Sequence, residues 1–196
     1  MSLAGPVATM AAYLIGAVPF GYLMYRWGRG GDIRAEGSGN IGATNVMRTA
    51  GRAAGIATLA LDAGKGALAV WVARWATGDA PWEAAAAFAA VLGHCYPVFL
   101  GFKGGKGIAT GCGAYGLLAP LPMALSLGAF LVVVLATRMV SAGSILAAWA
   151  LPVILFAGPS EPSTVVSATL AATLVTIRHE GNIRRILSGS ENRHGK

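Results

Sequence analysis

The feature that most constrains this chain is a succession of apolar stretches, each near the length of a bilayer crossing, joined by short polar connections. They run over roughly 3–25, 54–76, 84–100, 108–119, 121–137, 141–157 and 162–177. About 20 apolar residues wound as a helix cross the ~30 Å hydrocarbon layer, because a helix satisfies its backbone donors and acceptors internally. A soluble domain is excluded by the lack of charged cover. Only 12% of the residues are charged, against about 25% in ordinary usage. The prediction is an all-α polytopic membrane protein of about seven transmembrane helices, one domain over 1–196. The fourth stretch is short and meets the fifth at Ala119-Pro120-Leu121-Pro122, so the pair reads either as two short helices or as a re-entrant hairpin. No Lys or Arg precedes the first stretch, since the first basic residue is Arg26, which argues for a retained helix rather than a signal peptide.

Charge in the connections orients the bundle. The 26–52 connection carries Arg26, Arg29, Arg34, Arg48 and Arg52, and the next, around 77–83, has Asp79 and Glu83. The 101–107 connection carries Lys103 and Lys106, the fourth has no charge, the fifth has Arg138 and the sixth only Glu161. The tail holds Arg178, Arg184, Arg185, Arg193 and Lys196, with 189–196 reading as a polar end. Basic connections alternate strictly with acidic or neutral ones, so the positive-inside rule puts the N-terminus outside and the C-terminus in the cytoplasm. The net charge of +7 therefore follows from topology and anionic ligands rather than from nucleic acid, which is not expected as a partner.

Three polar stretches fall on the predicted inner face. The first is Gly37-Ser38-Gly39-Asn40-Ile41-Gly42-Ala43-Thr44-Asn45-Val46-Met47-Arg48. Its glycines allow backbone N–H groups to approach an anion, Ser38, Asn40, Thr44 and Asn45 add hydroxyls and amides, and Arg48 adds a planar cation suited to phosphate. The second runs from Gly93-His94-Cys95-Tyr96 to Gly101-Phe102-Lys103-Gly104-Gly105-Lys106-Gly107-Ile108-Ala109-Thr110. Glycines and lysines just before a helix make a phosphate site from its unpaired N–H groups. It is not a Walker A loop: Leu100 stands where the first glycine is needed, and neither Ser nor Thr follows Lys106. The third, Arg178 to Glu191, places His179 and Asn182 three apart on one helical face. Each stretch also has a bland reading: a linker, a topology-fixing loop and a basic tail on anionic lipid. His94 alone reads as a satisfied interfacial histidine.

Asp62 and Lys65, one turn apart within the second span, are open to two readings, an internal ion pair or a role near the substrate. Cys95 and Cys112 read as buried thiols, with neither a disulfide framework nor a metal site. There is no internal repeat of the kind that marks inverted-repeat transporters. A transporter of small phosphorylated anions remains the alternative, since it would share the basic, glycine-rich inner site. The inventory favours acyl transfer to a phosphorylated alcohol. Two phosphate-bearing substrates repel each other unless Arg48, Lys103, Lys106 and Arg178 lie between them, and an already activated donor needs no covalent nucleophile.

At these three motifs the sequence resembles the acyl-phosphate-dependent glycerol-3-phosphate acyltransferases of bacteria, the PlsY family, with the motifs in family order across most of the chain. The resemblance implies a seven-helix fold in the bacterial plasma (inner) membrane with its motifs on the cytoplasmic side. It implies transfer of an acyl group from acyl phosphate to the 1-hydroxyl of sn-glycerol 3-phosphate, giving lysophosphatidic acid and phosphate at the entry to phospholipid synthesis. Neither acyl-CoA nor acyl carrier protein serves as direct donor, no metal or other cofactor is required, and no obligate protein partner is expected. Carried onto this chain, Ser38, Arg48, His179 and Asn182 are the implied catalytic residues. Asn40, Thr44, Asn45, Lys103, Gly104, Gly105, Lys106, Gly107 and Arg178 are the implied substrate-binding ones. Glu191 is expected to support the fold by pairing with an arginine. The general base is left between His179 and a substrate phosphate.

Overall fold

The computed structural model describes residues 3–193. Lys196, part of the expected basic tail, lies outside them. Among the described residues the ordered elements are helical. They are α1 (Ala4–Ala17), α2 (Phe20–Arg29), α3 (Ala43–Ala50), α4 (Arg52–Thr77), α5 (Ala80–Cys95), α6 (Ile108–Leu118), α7 (Pro120–Thr137), α8 (Val140–Ala157), α9 (Pro162–Arg178) and α10 (Glu180–Leu187), with 3-10 turns at Ile33–Ala35 and Val98–Leu100.

The first apolar stretch does not form one helix. It breaks at Val18-Pro19, where Val18 is extended (φ −61°, ψ 116°). Proline has no N–H to give the ladder and disfavours helical geometry in the residue before it, so Pro19 separates α1 from α2. The fourth and fifth stretches resolve as two helices of 11 and 18 residues. Ala119 turns the chain and Pro120 opens α7 at a position where no N–H is needed. Among the described residues, five helical stretches are long and apolar enough to cross a membrane: Ala4–Arg29, Arg52–Thr77, Ala80–Leu100, Pro120–Thr137 and Val140–Ala157. α6, with 11 residues, spans only about 17 Å, and α9, with 17, about 26 Å.

Packing runs opposite to that of a soluble protein. The interior is small: Ala8, Ala12, Ala69, Ala73, Ala86, Ala89 and Ala90 form one buried cluster. Large apolar side chains such as Leu135, Trp75 and Phe156 are fully outward, at 80–83% exposure. In lipid, outward leucines cost nothing, while small residues let backbones approach closely. Gly93 illustrates the approach, since a β-carbon there would strike the Tyr13 carbonyl of α1.

Contacts sort the connections into two ends. At one end Arg34 Nη1 donates to the Leu100 carbonyl at 3.2 Å, Arg178 reaches Gly104 and Gly105, and Ser141 donates to Glu191. These bonds tie together the connections that carry the basic residues. At the other end Arg74 pairs with Glu83 at 2.8 Å, its Nη2 lying 3.5 Å from the Leu117 carbonyl. The loops rich in basic residues thus meet at one end, and the turns near Asp79 and Ala119 lie at the other.

Candidate active site

The second motif forms a tight loop between α5 and α6. Gly101 and Phe102 both take positive φ (60° and 64°) and turn the chain back, with the Phe102 N–H bonded to the Pro97 carbonyl at 2.9 Å. Phe102 is strained there, since a side chain disfavours this region. Gly105 then donates to the His94 carbonyl at 3.0 Å. A β-carbon on Gly105 would overlap the His94 ring, so only glycine lets the backbone lie this close. Gly107, at φ 82°, delivers the chain to the start of α6, whose first N–H groups lack helical partners. Lys103 is exposed, whereas Lys106 is half-buried at the mouth of that helix.

The third motif closes over this loop. Arg178 Nε and Nη2 donate to the carbonyls of Gly105 (3.0 Å) and Gly104 (2.9 Å), and its guanidinium lies over the Tyr96 ring, 5.0 Å from the centroid. In a planar peptide the N–H points away from the carbonyl. Drawing the Gly105 carbonyl to Arg178 therefore turns the Lys106 N–H the other way, as an anion site requires. Lys106 Nζ donates to Asn182 Oδ1 at 2.5 Å, and Asn182 Nδ2 donates to Glu191 Oε1 at 2.7 Å. Glu191 also accepts from Ser141 Oγ and Arg185 Nε, both at 2.8 Å. Burial pushes the Glu191 carboxyl up, but its bonds from Asn182, Ser141 and Arg185 outweigh that and hold it below the usual range. The expected pairing of Glu191 with an arginine is thus realised by Arg185.

His179 ends α9 and is buried, with Nδ1 2.8 Å from the Val175 carbonyl. A carbonyl only accepts, so the proton sits on Nδ1 and the Nε2 lone pair is left free. Burial, then the nearby charge of Lys106, pushes His179 down to about 4. Burial likewise lowers Lys106 to about 8, against the opposing pull of Glu191.

The first motif is a compact loop capped by α3. Asn45 is buried, and its amide holds the loop: Oδ1 accepts the Ser38 N–H at 2.9 Å, and Nδ2 donates to the carbonyls of Glu36 (3.0 Å) and Asn40 (2.9 Å). Asn40 Oδ1 in turn accepts the Gly42 N–H at 2.8 Å. Ser38, Thr44 and Arg48 stay exposed. Ile33, Ile41, Val46 and Tyr25 form the cluster beneath, with Leu100 of the second motif packed against it.

The second and third motifs are thus in direct contact through Lys106, Gly104, Gly105, Arg178 and Asn182. The first joins them through Leu100, which packs on the cluster of Ile41 and Val46 and accepts from Arg34, just ahead of the motif. Among the described residues, Ser38, Thr44 and Arg48 make no side-chain hydrogen bond or ion pair to the other two motifs. Of the expected substrate contacts, the Asn45 amide and the Arg178 Nε and Nη2 groups are engaged in shaping the loops. Arg34 counted in sequence only toward the charge of its connection, because a cation that bonds a distant main-chain carbonyl leaves no local signal.

A helical bundle with small residues inside, large apolar ones outside and glycine-rich basic loops gathered at one end defines an integral membrane protein. Residues 6–189 match the family model described as glycerol-3-phosphate acyltransferase. The chain is 48% identical to a glycerol-3-phosphate acyltransferase of Geobacter sulfurreducens, covering 95% of this chain and 96% of that one. It is 49% identical to one of Jannaschia sp., covering 97% and 93%. It superimposes on the crystal structure of PlsY, an integral membrane glycerol 3-phosphate acyltransferase, in its glycerol 3-phosphate form, with TM-score 0.93 and 37% identity over 97% of this chain and 96% of that one. With the lysophosphatidic acid form the TM-score is 0.90 at 36% identity, over 97% and 95%. The chain belongs to the glycerol-3-phosphate acyltransferase family, and it is an acyltransferase of the membrane. The transport reading finds no support among these relatives.

Proposed function

We propose that the protein transfers a fatty acyl group from acyl phosphate to the 1-hydroxyl of sn-glycerol 3-phosphate, releasing lysophosphatidic acid and inorganic phosphate. The observation that carries this reading is the junction of the second and third motifs. Arg178 orients the Gly104–Gly105 peptides while Lys106 is held beside them by Asn182. The loop N–H groups and Lys106 hold one phosphate, and the exposed Ser38 and Arg48 hold the second group. The acyl chain lies in the apolar groove between α8 and α10, about 360 Å³, lined by Ala142, Ile145, Leu146, Trp149, Ile183, Ile186 and Leu187.

In the reaction the glycerol oxygen bonds to the acyl carbon, the bond from that carbon to the phosphate oxygen breaks, and the hydroxyl proton must leave. His179, held at about 4, is too weak a base to keep that proton at neutral pH. A phosphate with a second pKa of about 6 is the better acceptor. His179 Nε2 is left to orient the acceptor by taking a hydrogen bond from its other free hydroxyl, at the 2-position.

The whole chain acts as one catalytic domain with seven crossings, α6 and α9 being the short ones. The basic end, and the site with it, faces the cytoplasm of a bacterial inner membrane. Purified protein given palmitoyl phosphate and glycerol 3-phosphate is expected to release phosphate and form lysophosphatidic acid, with palmitoyl-CoA inactive as donor. A folded protein without product from either donor overturns the reading. Cysteine labelling from the two sides of the membrane tests the topology, and labelling at 79 from the cytoplasm would refute it.

A further inference from the structure

A second polar cluster lies beneath the anion loop and takes no part in the chemistry above. Asp62 of α4 is 1% exposed, Lys65 4% and His94 of α5 4%. Lys65 Nζ stands 2.7 Å from Asp62 Oδ1, donates to the Val18 carbonyl at 2.7 Å, and lies 3.0 Å from His94 Nδ1. Beside a carboxylate at this distance Lys65 is an ammonium, with three protons and no lone pair. Its hydrogen bonds go to Val18 and His94, with the Asp62 carboxylate beside it as counter-ion, and toward His94 it can only donate. His94 therefore carries its own proton on Nε2. The Asp62 carboxylate is 3.6 Å from His94 Nδ1, beyond hydrogen-bond range, so the ammonium is the link between them.

The Nε2 edge of His94 faces Gly105, where an added β-carbon would overlap Nε2, Cδ2 and Cε1. The His94 carbonyl also accepts the Gly105 N–H at 3.0 Å. One residue thus grips the anion loop by both ring and main chain, and the ring is oriented by Lys65. On its other side Lys65 reaches Val18, whose carbonyl is released from regular helical bonding by the Pro19 break, and sits 5.7 Å from the centroid of Phe20. α2 starts at Phe20 and leads into the first motif. A buried ion pair adds little to stability over apolar residues of the same volume. Apolar residues could not set the His94 tautomer or tether the α1–α2 break.

We propose that Asp62, Lys65 and His94 are positioning residues: a buried unit that sets the Gly104–Gly105–Lys106 loop in register with the first motif. The inference rests on the acyl-transfer reading above, and a binding measurement separates the two. Glycerol 3-phosphate binding is measured by calorimetry, and turnover by phosphate release, on purified wild type, Asp62→Asn/Lys65→Met, His94→Asn and His94→Gln. The double variant removes both charges at nearly constant shape. It is expected to raise Kd and KM for glycerol 3-phosphate by about tenfold or more, with the KM for acyl phosphate and the melting temperature nearly unchanged. His94→Asn keeps an acceptor for Lys65 but nothing at Nε2, and is expected to match the double variant. His94→Gln, which restores side-chain bulk against Gly105, is expected to recover most of the affinity. Wild-type affinity in the folded double variant, or equal effects of Asn and Gln at 94, overturns the proposal. Should the double variant not fold, the two His94 variants, with the ion pair intact, decide it. Wild type that binds glycerol 3-phosphate without turnover sinks the acyl-transfer reading instead and leaves the binding comparison to judge the triad.

Discussion

Replacing Arg178 separates a residue that holds a loop from one that holds a substrate. Its guanidinium makes two hydrogen bonds to the Gly104 and Gly105 carbonyls, at 2.9 and 3.0 Å, and stacks on Tyr96. Bonds from a charged donor contribute about 1.5–3 kcal/mol each, and an exposed cation–π contact about 0.5–1 kcal/mol. Arg178→Ala therefore removes about 3.5–7 kcal/mol of restraint on the loop. If about half of that is expressed in the bound state, kcat/KM falls by about 10²-fold, at 1.36 kcal/mol per factor of ten. Arg178→Lys keeps the charge but presents a single point donor, which cannot satisfy two carbonyls in fork geometry. It is expected to fall between the two. The assay is phosphate release at varied glycerol 3-phosphate, alongside the melting temperature. Full kcat/KM in Arg178→Lys would refute the fork argument. A folded Arg178→Ala protein with undiminished kcat/KM would refute the loop-holding role altogether.

Other expectations follow from the same geometry. His179, pushed down to about 4, is neutral throughout the working range and protonates only as pH falls toward 4. The pH profile of kcat/KM between about 5.5 and 8 should then keep its shape in His179→Asn while its height falls, and an acid limb that vanishes with His179 would contradict this. Lys106, lowered to about 8, loses its charge as pH rises through that value, and a bound dianion pulls the proton back on. The KM for glycerol 3-phosphate should accordingly climb above pH ~8 with kcat less affected, and a flat KM up to pH 10 would count against Lys106 as an anion ligand. Asn45→Ala removes three loop bonds, worth about 0.5–1.5 kcal/mol each. It should lower both the melting temperature and kcat/KM, and loss of neither would show that the loop holds its shape without it.

Class and the gathering of basic loops at one end were legible in sequence because they depend on quantities summed along the chain. Apolar length against bilayer thickness yields the helices, and the alternation of Arg- and Lys-bearing connections with neutral ones sorts them into two ends. The order of the three motifs was equally local. The break in the first stretch could have been read from Pro19, but its use as a hydrogen-bond acceptor for Lys65 could not. Which polar side chains face a substrate depends on partners dozens of residues away. Arg178 turned inward to Gly104 and Gly105, Asn45 closed on its own loop, and Lys106 was tied through Asn182 to Glu191. Composition assigns these residues a charge or an amide, and nothing in it says whether that group is already engaged. Apolar length and loop charge are enough to specify a membrane bundle with basic, glycine-rich loops at one end. Which cations hold the loops and which stay exposed is settled by packing, because a hydrogen bond between distant segments exists only once the helices have packed.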